Sequence, residues 1–227
     1  MIIDEDQIIK NLLPGSQIDD AGIVITGQEG YWSNLSREEN TELIKKINEK
    51  GPRVAIQSEI PHLLDMIYSP KREAALELLD VEAGKICIDY GCMWGVLSAG
   101  AARRGLQVIA IDQTYESLYF LKKRCEKENI ENISCVQGDI KNLSLKNIAD
   151  YAIVNGVLEW IPVNESVEVD KYHKGNISSA KKELNPMIMQ ADFLNHVKES
   201  LLPGGKLVLA IENRHSYQYY MGMKDPH

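Results

Sequence analysis

The stretch "ICIDYGCMWGVLS", residues 86–98, decides how the chain is read. An apolar run ends in the acid Asp89, and Gly91 and Gly95 then flank a short turn. That order suits a strand handing over to a helix around a nucleotide-like ligand. Glycine lets the backbone come close to the ligand, and the following helix N-terminus offers it unpaired amides. Met93 and Trp94 sit in the middle of the turn, where the smallest residues are expected. The turn is therefore a working loop with two bulky members, a damaged loop, or ordinary packing.

The rest of the chain favours the first option, because a rhythm runs outward from this turn. "KICIDY" reads as a strand and "VLSAGAARRG" as a helix; "QVIAID" reads as a strand and "YESLYFLKKRCEKEN" as a helix. "ISCVQGD" and "ADYAIVNG" are strands, "NPMIMQADFLNHVKESLLPGG" is a helix, and "KLVLAIE", residues 206–212, is the last strand. The strands are apolar on both faces and separated by helices. That pattern predicts an α/β fold with a doubly wound, mostly parallel sheet covered on both sides.

Upstream the pattern is mixed. "IIKNLLPG" reads as a short helix stopped by Pro14-Gly15, and "AGIVITGQEG" as a short strand or turn. "SREENTELIKKINEKG" reads as a helix capped by Ser36, with acids in its first turn and Gly51 after it. Ser69-Pro70 predicts an N-cap and first turn, with Ala74, Ala75, Leu78 and Leu79 on one apolar face. The chain is expected to divide into an N-terminal mixed extension, residues 1–57, and a ligand-binding domain, residues 58–227.

In a doubly wound sheet, ligands bind beyond the carboxyl ends of the strands. Asp89 and Gly91–Gly95 follow the first strand of the rhythm, Asp112 the second and Asp139 the third. Residues 155–160 follow the fourth, and residues 212–214 the fifth. Taken singly, each has an ordinary structural use. Acids or turn glycines after three successive strands are harder to dismiss. Asp112 lies 23 residues after Asp89, at the tip of the next strand. A carboxylate there can accept hydrogen bonds from two ribose hydroxyls. Asp139 at the third tip can accept from an adenine amino group.

"DYGCMWG", "AID", "QGDI" and "LLPGGKLVLAIENR" resemble, in order and spacing, the motifs of class I S-adenosylmethionine-dependent methyltransferases. "NGVLEWIP" and "AIENRHSYQYYMGMKDPH" resemble a narrower subgroup linked to surface-polysaccharide and other glycan biosynthesis. The likeness covers roughly residues 60–227. It implies a Rossmann-like methyltransferase fold with S-adenosylmethionine as cofactor. Asp89, Gly91 and Gly95 would frame the methionine part, Asp112 the ribose and Asp139 the adenine. Asn155 would lie beside the sulfonium, with Glu159 and Trp160 on the acceptor side. Cys92, Met93, Gln113 and Ile140 join the cofactor contacts on the same grounds. Glu159, His215 and Tyr217 are candidate general bases by position alone, Glu159 and His215 ahead; His215 reads more readily as an ordinary surface or core histidine, and Tyr217, Tyr219 and Tyr220 as packing.

Three departures from the family pattern follow. Met93 stands where the pattern has its middle glycine, which is costly if the backbone needs a positive φ. Trp94 fits the subgroup, where an aromatic precedes the last glycine. The family sheet ends in an antiparallel hairpin after its fifth strand, and the residues after that strand leave no room for one. The tail is thus expected as loop or short helix, in a shortened version of the fold whose open edge needs a cover: the N-terminal segment, the tail's tyrosines or another copy of the chain. The third departure is the long polar stretch after the fourth strand, residues 164–187, read as an acceptor-side lid.

Bulk properties narrow the function classes. A net charge of -8 makes nucleic acid a poor partner. Cys87, Cys92, Cys125 and Cys135 lack metal-site spacing and read as reduced core thiols of a cytoplasmic protein, with no metal. No apolar run reaches the ~20 residues that span a bilayer, and "MIIDEDQIIK" lacks a signal-type core. A small-molecule or glycan-related acceptor is expected, and a homo-oligomer stays open. Two other classes compete. A nicotinamide dehydrogenase needs G-x-G-x-x-G, which "GCMWGV" does not supply. A non-catalytic module on the same fold is favoured by Met93 and the missing hairpin.

Overall fold

A computed structural model describes residues 8, 12–27, 31–33, 35–143, 145–162, 167–168, 185–211 and 221. Strands β1 (Gln17–Ile18), β2 (Ile23–Ile25) and β3 (Trp32–Ser33) precede helices α1 (Arg37–Lys50), α2 (Pro52–Glu59) and α3 (Leu64–Tyr68). The alternation then begins: β4 (Ile86–Tyr90), α4 (Val96–Arg103), β5 (Gln107–Asp112), α5 (Tyr115–Glu128) and β6 (Ile133–Gln137). β7 (Ala149–Asn155), β8 (Val167–Glu168), α6 (Pro186–Ser200) and β9 (Leu201–Ala210) complete it.

Seven strands form one sheet in the order β1-β2-β6-β5-β4-β7-β9. Every pairing in it is parallel except β1 with β2. This is the expected α/β doubly wound sheet, and side-chain alternation explains it. Cys87, Val108, Cys135 and Ile153 point to one face, where α4 and α5 cover them with Leu97, Leu118 and Leu121. Ile88, Ile109, Val136 and Val154 point to the other, where α6 covers them with Phe193 and Val197. Helices on both faces are why these strands carry apolar residues at consecutive positions. All four cysteines are buried free thiols.

The N-terminal segment is woven into this sheet. β2 pairs in parallel with β6, Ile23 opposite Cys135 and Ile25 opposite Gln137. It therefore lies at the β6 edge, the edge away from β9, whose open side it was one of the expected covers for. The chain then builds a third layer from α1, α2 and α3. α1 starts with the expected Ser36 cap as a full capping box: Ser36 Oγ takes the Glu39 amide and the Glu39 carboxylate takes the Ser36 amide. Leu43 and Ile47 of α1 pack with Ile56, Ile67, Trp94 and Phe120, and each fully buried apolar side chain of this size contributes ~1.5–3 kcal/mol.

Two elements differ from the sequence expectation. Residues 70–78 form a 3-10 helix, and Ser69 makes no side-chain cap. With three residues per turn, Leu76 and Leu79 share a side and are buried, while Leu78 is 78% exposed. An ion-pair network holds the segment down: Glu73 binds Arg103 and Arg104, and Glu77 binds Arg104. The last strand begins at Leu201, five residues early. Leu201 pairs with Ala149, residues 202–205 bulge out, and Lys206 resumes the ladder opposite Tyr151. The Pro203-Gly204-Gly205 turn is thus a bulge inside the strand, with Gly204 at φ +85°. The tail expectation falls outside the described residues except at Met221. The lid expectation does so for all but residues 164–187's described members, of which Val167–Glu168 pairs in parallel with Trp32–Ser33.

Candidate functional site

The strand order places the tips of β6, β5, β4 and β7 side by side, and backbone bonds stitch their loops together. The amides of Gly91 and Cys92 both donate to the Ile111 carbonyl, at 2.8 and 2.9 Å. The Gly138 amide donates to the Asp112 carbonyl at 2.9 Å, and Gln137 Nε2 donates to the Gln113 carbonyl at 3.0 Å. Gly91 faces the loop after β7 so closely that a Cβ would lie 2.6 Å from Val157 Cγ2.

Asp112 is the hub. Its Oδ2 accepts from the Met93 amide at 2.7 Å and its Oδ1 from the Thr114 amide at 2.8 Å. Burial raises its pKa from 3.8 to about 6, and the amide hydrogen bonds only partly offset that. Asp89 is also buried. Its Oδ2 accepts from Ser98 Oγ at 2.5 Å, one turn into α4. Burial, with the nearby Asp112 charge adding, lifts it to about 6 despite the Ser98 bond. Asp89 thus ties the strand tip to the helix that follows the loop. Burial also raises the Cys92 thiol well above its ordinary value, which leaves it protonated and inert.

Between these acids the loop takes three left-handed residues: Gly91 at φ +71°, Met93 at +49° and Gly95 at +67°. The question raised by Met93 is answered here: the middle position does use positive φ, where a side chain is strained. Gly95 is the residue before α4, and a Cβ on it would collide with the Leu121 side chain of α5. Its glycine is required by packing as well as by backbone.

The other expected residues fall around this centre. Asp139 closes its own turn, Oδ1 taking the Lys141 amide and Oδ2 the Asn142 side-chain amide. Gln113 and Ile140 are half-buried beside it, and Asn155 stands exposed at the end of β7. Glu159 and Trp160 lie half-buried on a 3-10 turn, Leu158–Trp160, pinned by Gln190 Nε2 on the Leu158 carbonyl at 3.0 Å. The structure gathers all of these at one end of the sheet. His215 and the tail tyrosines lie outside the described residues. The sequence reading overlooked Ser98, Thr114 and Val157. Ser98 left one trace, as the single hydroxyl among small apolar residues in "VLSAGAA".

A methyltransferase domain model matches residues 81–221, which takes in β4 through β9 and every described tip. The chain belongs to the methyltransferase domain family. Curated relatives of this methyltransferase-domain chain include a ubiquinone biosynthesis O-methyltransferase of Acinetobacter baumannii (strain ACICU), 31% identical over 87 residues. That match covers 37% of each chain. The enzyme of the same name from Salmonella paratyphi A is 33% identical over 86 residues, 37% of this chain and 35% of its own. The chain thus spans little more than a third of the curated relatives it matches. Among solved structures, a SAM-dependent methyltransferase of Aquifex aeolicus covers 72% of this chain and 68% of its own, at 15% identity and a TM-score of 0.41. The CcbJ methyltransferase of Streptomyces caelestis covers 60% and 46%, at 18% identity and a TM-score of 0.42. The strand order itself, rather than these distant likenesses, carries the fold.

The family implies S-adenosylmethionine, and the residues fit it. Asp112 stands at the β5 tip, where a carboxylate can face ribose hydroxyls, and it takes the Met93 and Thr114 amides, with the Thr114 side chain and the Gln113 amide also bonded to it. Gly91 and Gly95 present no side chain of their own to a ligand, and Val157 and Leu121 fill the space where a Cβ would stand. Among the described residues, no cluster of three or more His, Cys, Asp or Glu could hold a metal, and no helix is long and apolar enough to cross a membrane.

Proposed function

We propose that this methyltransferase-domain chain moves a methyl group from S-adenosylmethionine to a small-molecule acceptor, at a hydroxyl. The observation that carries the reading is the convergence of acid-ended strand tips on one left-handed glycine loop within the family match. When bound, the cofactor supplies an electrophilic methyl group. The protein's part is to bind, orient and exclude water, because direct displacement asks for alignment and for no covalent residue. Asp112 holds the ribose, and Asp139 with Gln113 and Ile140 the adenine. The loop from Asp89 through Gly91, Cys92 and Met93 to Gly95 holds the methionine part. Asn155 lies at the methyl end, and Glu159 and Trp160 line the acceptor side. Glu159 or His215 takes the acceptor's proton. The O-methyltransferase names of the curated relatives support a hydroxyl acceptor, and the "NGVLEW" and "AIENR" motifs support a glycan-related one. The net charge of -8 supports a site without nucleic acid.

A second reading has a specific observation behind it: Met93 at φ +49° departs from the family's glycine. On that reading the chain is a binding module with a degraded loop. Calorimetry of the chain with S-adenosylmethionine, S-adenosylhomocysteine and NAD separates the two. Saturable binding of the first two supports the enzyme. Heat from none of them supports the module and refutes the proposal.

A further inference from the structure

We propose that Trp94 is a positioning residue: it anchors the glycine loop in the N-terminal helical layer, so that this layer sets cofactor affinity. The inference rests on the cofactor reading above.

Four observations meet at this side chain. Trp94 follows the strained Met93 and precedes Gly95, so it lies in the loop, yet only 1% of it is exposed. It points away from the strand tips into the cluster of Leu43, Ile47, Ile56 and Ile67, which α1, α2 and α3 supply. Its ring stands edge-on to Phe120 of α5, with centroids 5.4 Å apart and planes at 90°. Its indole N–H is buried with no hydrogen-bond partner among the described residues, and apolar packing holds the ring.

The need for an anchor follows from the backbone. A left-handed non-glycine residue persists only where its surroundings over-determine it. On the N-terminal side, the Asp112 carboxylate holds the Met93 amide. On the C-terminal side, the Gly95 amide closes the turn onto the Cys92 carbonyl at 2.8 Å, and Leu121 blocks one side of Gly95. Trp94 is a further constraint, buried in a layer built mainly from residues 35–68, against which the Met93 side chain also packs. That layer has its own attachments to α5: Tyr119 Oη donates to Asn48 Oδ1 at 2.6 Å, and Arg124 donates to the Ile67 carbonyl at 3.1 Å. Removing the indole therefore loosens the loop while the layer stays docked. This accounts for a bulky aromatic in a turn that otherwise selects small residues.

The test compares Trp94→Leu, Trp94→Phe and Ile56→Ala with Leu106→Ala. Leu106 is fully buried just before β5, at the opposite end of the sheet. All four variants lose core packing, and only the first three touch the anchor. Affinity for S-adenosylhomocysteine is measured by calorimetry on the full chain, with urea midpoints recorded for each variant. The expected result is a loss of at least tenfold in Trp94→Leu, a smaller loss in Ile56→Ala and near-recovery in Trp94→Phe. Leu106→Ala should bind as the unaltered chain does, although its midpoint falls. If Trp94→Leu does not fold, Ile56→Ala against Leu106→Ala decides alone. Binding by the unaltered chain with equal affinities across the folded variants overturns the inference and leaves the cofactor reading standing. No binding by the unaltered chain overturns both.

Discussion

The backbone N–H of Met93 donates a 2.7 Å hydrogen bond to Oδ2 of Asp112, from the loop after β4 to the tip of β5. One carboxylate therefore fixes the least comfortable residue of the glycine loop. With Asp112 on the ribose, as proposed above, loop geometry and cofactor affinity would be coupled through a single side chain.

Asp112→Ala is expected to weaken S-adenosylhomocysteine binding by about 1.5–3 kcal/mol, the range for hydrogen bonds to a charged group. Calorimetry on folded variant checks this. An unchanged affinity sinks the ribose assignment.

Met93 is expected to respond to backbone rather than side-chain chemistry. Met93→Gly relieves a left-handed residue at φ +49° and should keep or tighten cofactor binding. Met93→Val puts a β-branched side chain there and should lower stability further. Urea denaturation and calorimetry of the pair test the point. A clear loss of affinity in Met93→Gly would tell against glycine as the natural occupant of this turn.

The buried acids predict an acid-stabilised protein when no cofactor is bound. Asp89 and Asp112 both rise from 3.8 to about 6 through burial. The folded chain then binds more protons than the unfolded chain between those values. Their contribution is full below the unfolded pKa and is lost as pH rises through about 6. Glu73 is penalised by burial, but its bonds to Arg104 and Arg103 outweigh that and hold it below its ordinary value, so it titrates under this window. Stability should increase on going from about pH 7 to about pH 5, by on the order of 1–3 kcal/mol. Asp89→Asn should show a smaller increase. Urea midpoints at the two pH values give the comparison, and equal increases in both proteins refute it.

Two glycines with the same φ separate strain from packing. Gly95 and Gly156 both sit at φ +67°. A Cβ on Gly95 collides with Leu121, whereas on Gly156 it meets only Glu159 Oε1 at 3.9 Å. Gly156→Ala should cost about 1–2 kcal/mol from backbone strain. Gly95→Ala should cost that and about 1–3 kcal/mol more from overpacking. Thermal unfolding of both variants measures the gap, and equal losses would mean that α5 yields freely.

By itself the sequence determined the succession of β4, β5, β6, β7 and β9 with helices α4, α5 and α6, although not β8. Strands buried on both faces must be apolar at consecutive positions, and amphipathic helices must not, so the two periods are legible without any partner. The acids and glycines at the tips were legible for the same local reason, since each follows its own strand. Tertiary structure decided the rest. The 3-10 form of residues 70–78 depends on Arg103 and Arg104 holding Glu73. The early start of β9 depends on Ala149 pairing with Leu201 ahead of a bulge. The place of β2 in the sheet, between β1 and β6, depends on β6, more than a hundred residues away. The direction of Trp94 and the φ of Met93 depend on Phe120, Leu121 and Asp112. Those contacts join segments distant in the chain, and no local period or propensity encodes which distant side chain will be waiting.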